Sequence, residues 1–158
     1  SIRADLAFEA MLIDEGFELL RDAVVHAEDS ADEWWLTNLH IELADRGLEF
    51  GRVDVVGASA REALRLARKL HFRLATIWAL SMLARAASRN GGHERAGRIW
   101  GGLEAEGERG GRAGPWALAE DQLREDLASV GGEAFLAGVA AGRSMSLAET
   151  VIEAAVSS

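Results

Sequence analysis

The chain has no cysteine, no tyrosine and a single proline among 158 residues. Without cysteine there is neither a disulfide framework nor a thiolate metal site. With proline so scarce, almost nothing interrupts a helix from within. No apolar run reaches the roughly 18 residues that cross a bilayer, and no signal-peptide pattern opens the chain. Membrane and secretory readings therefore have no support, and a reducing, bacterial-type cytoplasm fits. The Gly-x-x-x-x-Gly-Lys-Ser/Thr loop that cradles phosphates is missing, as is the His-Glu-x-x-His pair of helical zinc sites. His26, His40, His71 and His93 are too dispersed to suggest a metal site.

What is present favours helix. Apolar residues make up 49%, dominated by Ala and Leu, which lose little rotamer freedom in a helix. The length suits one domain that buries about 70% of its unfolded surface. The net charge of −9 is unevenly placed. Residues 1–50 carry 13 acids and 3 bases, residues 51–112 carry 6 acids and 12 bases, and the remainder 7 acids and 2 bases. A chain acidic at both ends lacks the basic face that direct nucleic-acid binding needs.

The sequence repeats at forty residues without a gap. Ala4, Ala44 and Ala84 correspond, as do Asp14, Asp54 and Glu94; Leu20, Ala60 and Trp100; and Ala23, Ala63 and Leu103. Ala27, Ala67 and Gly107 form another column, and Gly51 matches Gly91 at a turn. Small residues let helices approach, and the acids fall where a second helix begins and its dipole favours them. The unit is an antiparallel helix pair, with helices expected at about 31–50, 53–70, 73–90 and 93–108. Val53-Asp54-Val55-Val56 is strand-like alone, but Ala60, Ala63, Leu64, Ala67 and Leu70 continue it with helical spacing. Residue 1 matches residue 41, so the first unit lacks about ten residues, and with no initiator Met the chain reads as cut from something larger.

Ser30-Ala31-Asp32-Glu33 and Ser146-Leu147-Ala148-Glu149 read as capping boxes with serine as the cap. The segment Gly107–Pro115 reads as a loop, with Pro115 suited to the first turn of the next helix. A stripe of Trp116, Leu123, Leu127 and Val130 ends at Gly131-Gly132, and short helices around Phe135 and Leu147 follow. These last elements leave the repeat, as an end cap of a solenoid does. The expected organisation is all-α: helix-hairpin repeats over 1–108, a loop at 109–114 and a C-terminal helical cap over 115–158.

Gly92-His93-Glu94-Arg95-Ala96-Gly97-Arg98-Ile99-Trp100-Gly101-Gly102-Leu103-Glu104-Ala105 resembles the last repeat of the tetratricopeptide-like domains in large bacterial LuxR-type signalling ATPases. Gly131-Gly132-Glu133-Ala134-Phe135 and Gly142-Arg143-Ser144-Met145-Ser146-Leu147-Ala148-Glu149 resemble the segments that end those domains. The likeness covers 60–158 directly and 1–59 through the repeat alone. The unit is longer than the usual 34 residues, and the Trp-x-x-Leu-Gly-x-x-Tyr signature is absent, so a standard peptide clamp does not carry over. The resemblance implies a right-handed superhelix that acts as a non-catalytic sensor or scaffold without a cofactor. It would receive a protein partner, a small-molecule inducer, or the ATPase and DNA-binding modules of its own parent chain. A free-standing helical-repeat adaptor and an all-helical small-molecule binder are the alternatives.

Within that frame Trp34, Trp35, Asn38, Trp78, Arg85 and Arg89 are the candidate groove residues. Adjacent tryptophans point about 100° apart on a helix, so one of Trp34 and Trp35 can face a groove, and Trp78 shares a column with Asn38. Trp100 and Trp116 read as core and cap contacts. Arg61, Arg65, Arg68, Lys69 and Arg73 form a basic stripe that suits an anionic ligand or acidic partner. The competing reading is internal pairing, with Asp45–Arg85 and Glu49–Arg89 as bridges between equivalent helices, each worth about 0–1 kcal/mol. His26 and His40 match Leu66 and Leu80, so both are expected to lean on the core. Carboxylates occur as adjacent pairs such as Glu120-Asp121, which face apart on a helix and suit solvent rather than acid–base work. No serine is placed near a histidine by the spacing.

Overall fold

A computed structural model describes residues 2–112 and 114–156. Eight helices and no strand occur among these residues. They are α1 (Ile2–Glu9), α2 (Ile13–Asp29), α3 (Glu33–Glu49), α4 (Val53–Lys69), α5 (Arg73–Arg89), α6 (His93–Gly110), α7 (Gly114–Gly142) and α8 (Leu147–Ala155). From α1 to α7 consecutive helices pack on one another, α3–α5 and α5–α7 also meet directly, and α8 returns to pack on α6, α5 and α4. The alternate helices α3, α5 and α7 therefore share one side of the molecule.

The linkers explain the regularity. Positive φ angles fall at Met11, Ala31, Gly51, His71, Gly91 and Gly111, one every twenty residues. At the first five, the next residue's amide reaches five positions back, to the carbonyls of Ala7, Ala27, Gly47, Ala67 and Ala87, over 2.7–3.1 Å. This left-handed turn satisfies helix-end carbonyls that would otherwise lack donors. The residue that closes one helix then serves as N-cap of the next. The forty-residue period is thus two helices of nearly equal length joined by one recurring three-residue connection. Val53 begins α4, so the strand-like run is helical.

Two caps differ from expectation. At α3 the cap is Asp32, whose carboxylate accepts from the Trp35 amide at 2.9 Å. Ser30 instead donates to the Ala27 carbonyl, because the left-handed turn at Ala31 leaves it on the end of α2. Ser146 does cap α8, accepting from the Glu149 amide at 3.1 Å. The expected loop after residue 108 is shorter, since α6 continues to Gly110. Arg73 explains the extension: its guanidinium binds the Glu106 side chain and donates to the backbone carbonyls of Glu106 and Gly111. The side chain of Pro115 lies outside the described residues.

The repeat columns are structural. Ala4, Ala44 and Ala84 are fully buried, as are Leu20, Ala60 and Trp100. One core joins α1, α2 and α3 around Phe8, Phe17 and Leu20; a larger one runs from α3 through α8. Phe8, Phe17 and Phe50 form one aromatic trio, and Trp78, Trp100 and Trp116 the other. Trp100 and Trp116 are both core residues, as expected.

At Gly132 the backbone leaves helical geometry (φ 55°, ψ −137°) and α7 splits into two arms, where the sequence placed a stop. Gly131, ending the first arm, approaches His93 at the start of α6. The second arm then runs alongside α6 in the same direction: Phe135 lies against Gly97, Val139 against Gly101, and Arg143 pairs with Glu104. A Cβ built at Gly97, Gly101, Gly138 or Gly142 would stand 2.1–2.2 Å from a carbonyl oxygen of the opposite helix. The two backbones touch through this glycine seam, which fixes the end of the helical stack.

Candidate functional site

The side shared by α3, α5 and α7 holds two clefts in succession. The first, about 350 Å³, lies between α3 and α5. Asn38, Ile41, Glu42 and Asp45 line it from α3; Leu74, Trp78 and Met82 line it from α5. These positions recur at three- and four-residue steps, which places them on one face of each helix. Trp78 is half-buried and held edge-on by Trp116, with ring centroids 5.5 Å apart; Trp116 in turn packs 5.5 Å from Trp100. The indole exposed in the cleft is thereby anchored by two buried tryptophans behind it. Asn38 spends an amide hydrogen on the Trp34 carbonyl at 2.8 Å. The cleft is thus an apolar floor with a fixed aromatic ring and carboxylates at its edge.

The second cleft, about 220 Å³, lies between α5 and the first arm of α7 and includes Arg85, Ser88, Arg89 and Asp126 over Leu123, Leu127 and Val130. Burial lowers the Arg85 pKa, with Asp45 and Asp126 opposing and Arg89 reinforcing that shift. The expected Asp45–Arg85 and Glu49–Arg89 bridges do not form. Arg46, one position further round α3, takes both acids within reach, Asp5 at 3.0 Å and Glu49 at 2.9 Å, while its guanidinium lies 4.9 Å over the Phe8 ring. Arg89 instead donates to the Leu48 carbonyl.

The six sequence candidates are therefore divided. Asn38 and Trp78 meet in the first cleft, and Arg85 and Arg89 in the second. Trp34 and Trp35 are both exposed and line neither. Spacing alone did not single out Ile41, Met82 and Leu123 as cleft residues, since they resemble ordinary core positions.

The basic stripe is partly neutralised within the fold. Arg65 pairs with Glu62, Lys69 with Glu33, and Arg73 with Glu106. His26 is exposed rather than leaning on the core, unlike its column partner Leu66, which is buried. His40 is half-buried, and desolvation lowers its pKa against the opposing pull of Glu62 and Glu28. The Ser88 hydroxyl lies 3.3 Å from His93 Nδ1, a contact that the sequence spacing did not suggest. No carboxylate hydrogen-bonds to that imidazole among the described residues.

A third, strongly charged hollow of about 390 Å³ separates α6 from α7. Glu104 accepts from Arg124 at 2.6 Å and Arg143 at 2.7 Å, and Arg112 pairs with the buried Glu120 and with exposed Asp121. Burial raises the Glu120 pKa, and Arg112 beside it works the other way. Among the described residues no three His, Cys, Asp or Glu side chains are grouped to hold a metal ion, and no helix is long and apolar enough to cross a membrane. Comparison of the chain with protein-family models, curated proteins and solved structures returns no match.

Proposed function

We propose that the chain is a tetratricopeptide-like recognition module. In this reading its hairpins coil into a right-handed superhelix, with the second arm of α7 and α8 as the cap. It serves, without catalysis, as a sensor or scaffold segment of a larger cytoplasmic bacterial regulator of the LuxR-type signalling kind. The recurring helix pair and the terminal segments around Trp100, Phe135 and Arg143 support the placement.

The observation that carries the recognition reading is the α3/α5 cleft, which half-buried Trp78 lines while braced against Trp116. A pre-fixed aromatic ring loses little entropy on contact and is the kind of group that dominates binding energy at interfaces. Its carboxylate edge suits a protein segment that brings an apolar anchor followed by a basic side chain. A photo-crosslinking amino acid in place of Asn38 tests this in the intact protein inside its native host. The expected result is a covalent adduct to a protein, or to another module of the same polypeptide, that Trp78→Ala abolishes. Crosslinking no stronger than from exposed Arg68 on α4 overturns the reading.

A further inference from the structure

The second cleft carries an assignment of its own, independent of the partner reading. Arg85 lies about one turn before the C-terminal end of α5 and is half-buried. Arg46, Arg73, Arg98 and Arg124 are half-buried too, and each has a carboxylate oxygen within 3.3 Å. Arg85 has none: among the described residues its guanidinium makes no hydrogen bond and no ion pair within 4.0 Å. Guanidinium cannot shed its charge, so removing part of its hydration is costly unless an anion replaces the lost water.

The surroundings specify which anion. Arg89 shares the cleft and has guanidinium hydrogens left beyond the one given to Leu48. Asp126 is the single acid lining it, and its carboxylate accepts from the Gln122 amide of its own helix at 3.0 Å. Asp45 acts on Arg85 from the neighbouring cleft, but neither it nor Asp126 pairs with the guanidinium, which leaves its hydrogens open to an anion inside the pocket. The opposite wall is aliphatic, built from Leu123, buried Leu127 and Val130, the last 70% exposed. A volume of about 220 Å³ is below the usual range for drug-sized ligands. At about 30 Å³ per water, it admits a ligand of about seven or eight heavy atoms.

We propose that the pocket between α5 and the first arm of α7 binds a small amphipathic carboxylate, its carboxylate on Arg85 and Arg89 and its aliphatic tail against Leu123, Leu127 and Val130. The planar fork of Arg85 can donate two parallel hydrogen bonds to a carboxylate, a geometry lysine cannot offer. Neutralising the charge also relieves the repulsion between Arg85 and Arg89. Recognition of a partner through Trp78 neither requires this site nor is required by it.

Amide NMR titration of the whole chain with hexanoate tests the assignment. Saturable shifts centred on Arg85, Ser88 and Leu127 are expected, with affinity in the millimolar range for so small a ligand. Hexanamide, which matches hexanoate in shape without its charge, is expected to bind at least about tenfold more weakly. Arg85→Met abolishes the shifts, Arg85→Lys weakens them, and Asp126→Asn strengthens them while each variant keeps the wild-type amide spectrum elsewhere. Equal binding of hexanamide overturns the proposal, as does unaltered hexanoate binding by Arg85→Met. Inorganic phosphate binding as tightly as hexanoate would show that the aliphatic wall plays no part and would overturn the amphipathic assignment. No saturable shift up to the solubility limit does the same. Loss of this binding with Asn38 crosslinking intact, or the converse, separates the two readings.

Discussion

A methyl group at Gly138 tests how the end of the helical stack is held. The added Cβ would stand 2.1 Å from the Glu94 carbonyl oxygen and 2.9 Å from both the Arg98 amide nitrogen and the Gly97 Cα. Ordinary contact begins at 3.4 Å, and all three neighbours are backbone atoms that cannot swing aside. The second arm of α7 must therefore lift off α6 by more than 1 Å. A gap of that order forfeits a quarter to a half of the dispersion attraction of every atom pair along the seam. Overpacking of this kind costs up to about 3 kcal/mol, while alanine in place of glycine returns about 1 kcal/mol of helix propensity. The expected net loss for Gly138→Ala is about 2 kcal/mol, a fall in Tm of about 4–8 °C for a chain of this length. Thermal and urea unfolding followed by circular dichroism read both quantities. Gly57→Ala is the control, because its Cβ meets only the movable Arg61 guanidinium at 3.3 Å; it should gain up to about 1 kcal/mol. The double variant Gly101→Ala/Gly138→Ala should lose less than the two singles added, since one separation accommodates both methyls. A Gly138→Ala protein as stable as wild type would refute the contact seam.

Other perturbations have definite signs. Asp32→Ala should cost about 1 kcal/mol through loss of the α3 cap, whereas Ser30→Ala should change stability little, which denaturant midpoints distinguish. Ala31→Gly should stabilise by about 1 kcal/mol, because an alanine at φ 55° carries a steric cost that glycine does not. His40 has its folded pKa below the ordinary 6.5, so its contribution is present above that value and is lost as pH falls through the lowered folded pKa. Stability curves should therefore decline on acidification below about 6.5, and His40→Leu, which installs the residue found at the equivalent Leu80, should remove that component. Trp116→Ala should cost about 3–5 kcal/mol by emptying the space between Trp78 and Trp100, and it should also loosen the Trp78 ring, visible as a red-shifted emission of the remaining tryptophans.

The helical composition, the forty-residue period and the stop at Gly131-Gly132 were legible in the sequence because each rests on short-range chemistry. Ala, Leu and the turn glycines declare their preferences locally. The twenty-residue rhythm of the linkers was hidden because Met11, Ala31 and His71 occupy left-handed positions without being glycine. At Asp32 the error was one of register: serine and aspartate are both good caps, and only the turn at Ala31 decides between them. The α6–α7 seam was written in Gly97, Gly101, Gly138 and Gly142, yet a lone sequence does not tell a glycine that weakens a helix from one that admits a neighbour's backbone. Columns predicted which helices face each other but not the rotation of each arginine. Arg46 therefore took Glu49, the acid expected for Arg89, together with Asp5, and the unpaired Arg85 emerged only in three dimensions.

The recurring left-handed linker has a consequence for how such a chain can change length. Because every described connection from Met11 to Gly91 uses the same three-residue geometry, segments can be spliced at any of them with matching ends. Parity then decides the outcome. Gaining or losing forty residues returns the next helix to the side occupied by α3, α5 and α7, preserving a continuous row of clefts. A change of twenty would present the opposite set of side chains there and bury the wrong faces. Viable length variants should therefore differ by whole helix pairs, with the cleft-bearing face growing or shrinking one cleft at a time.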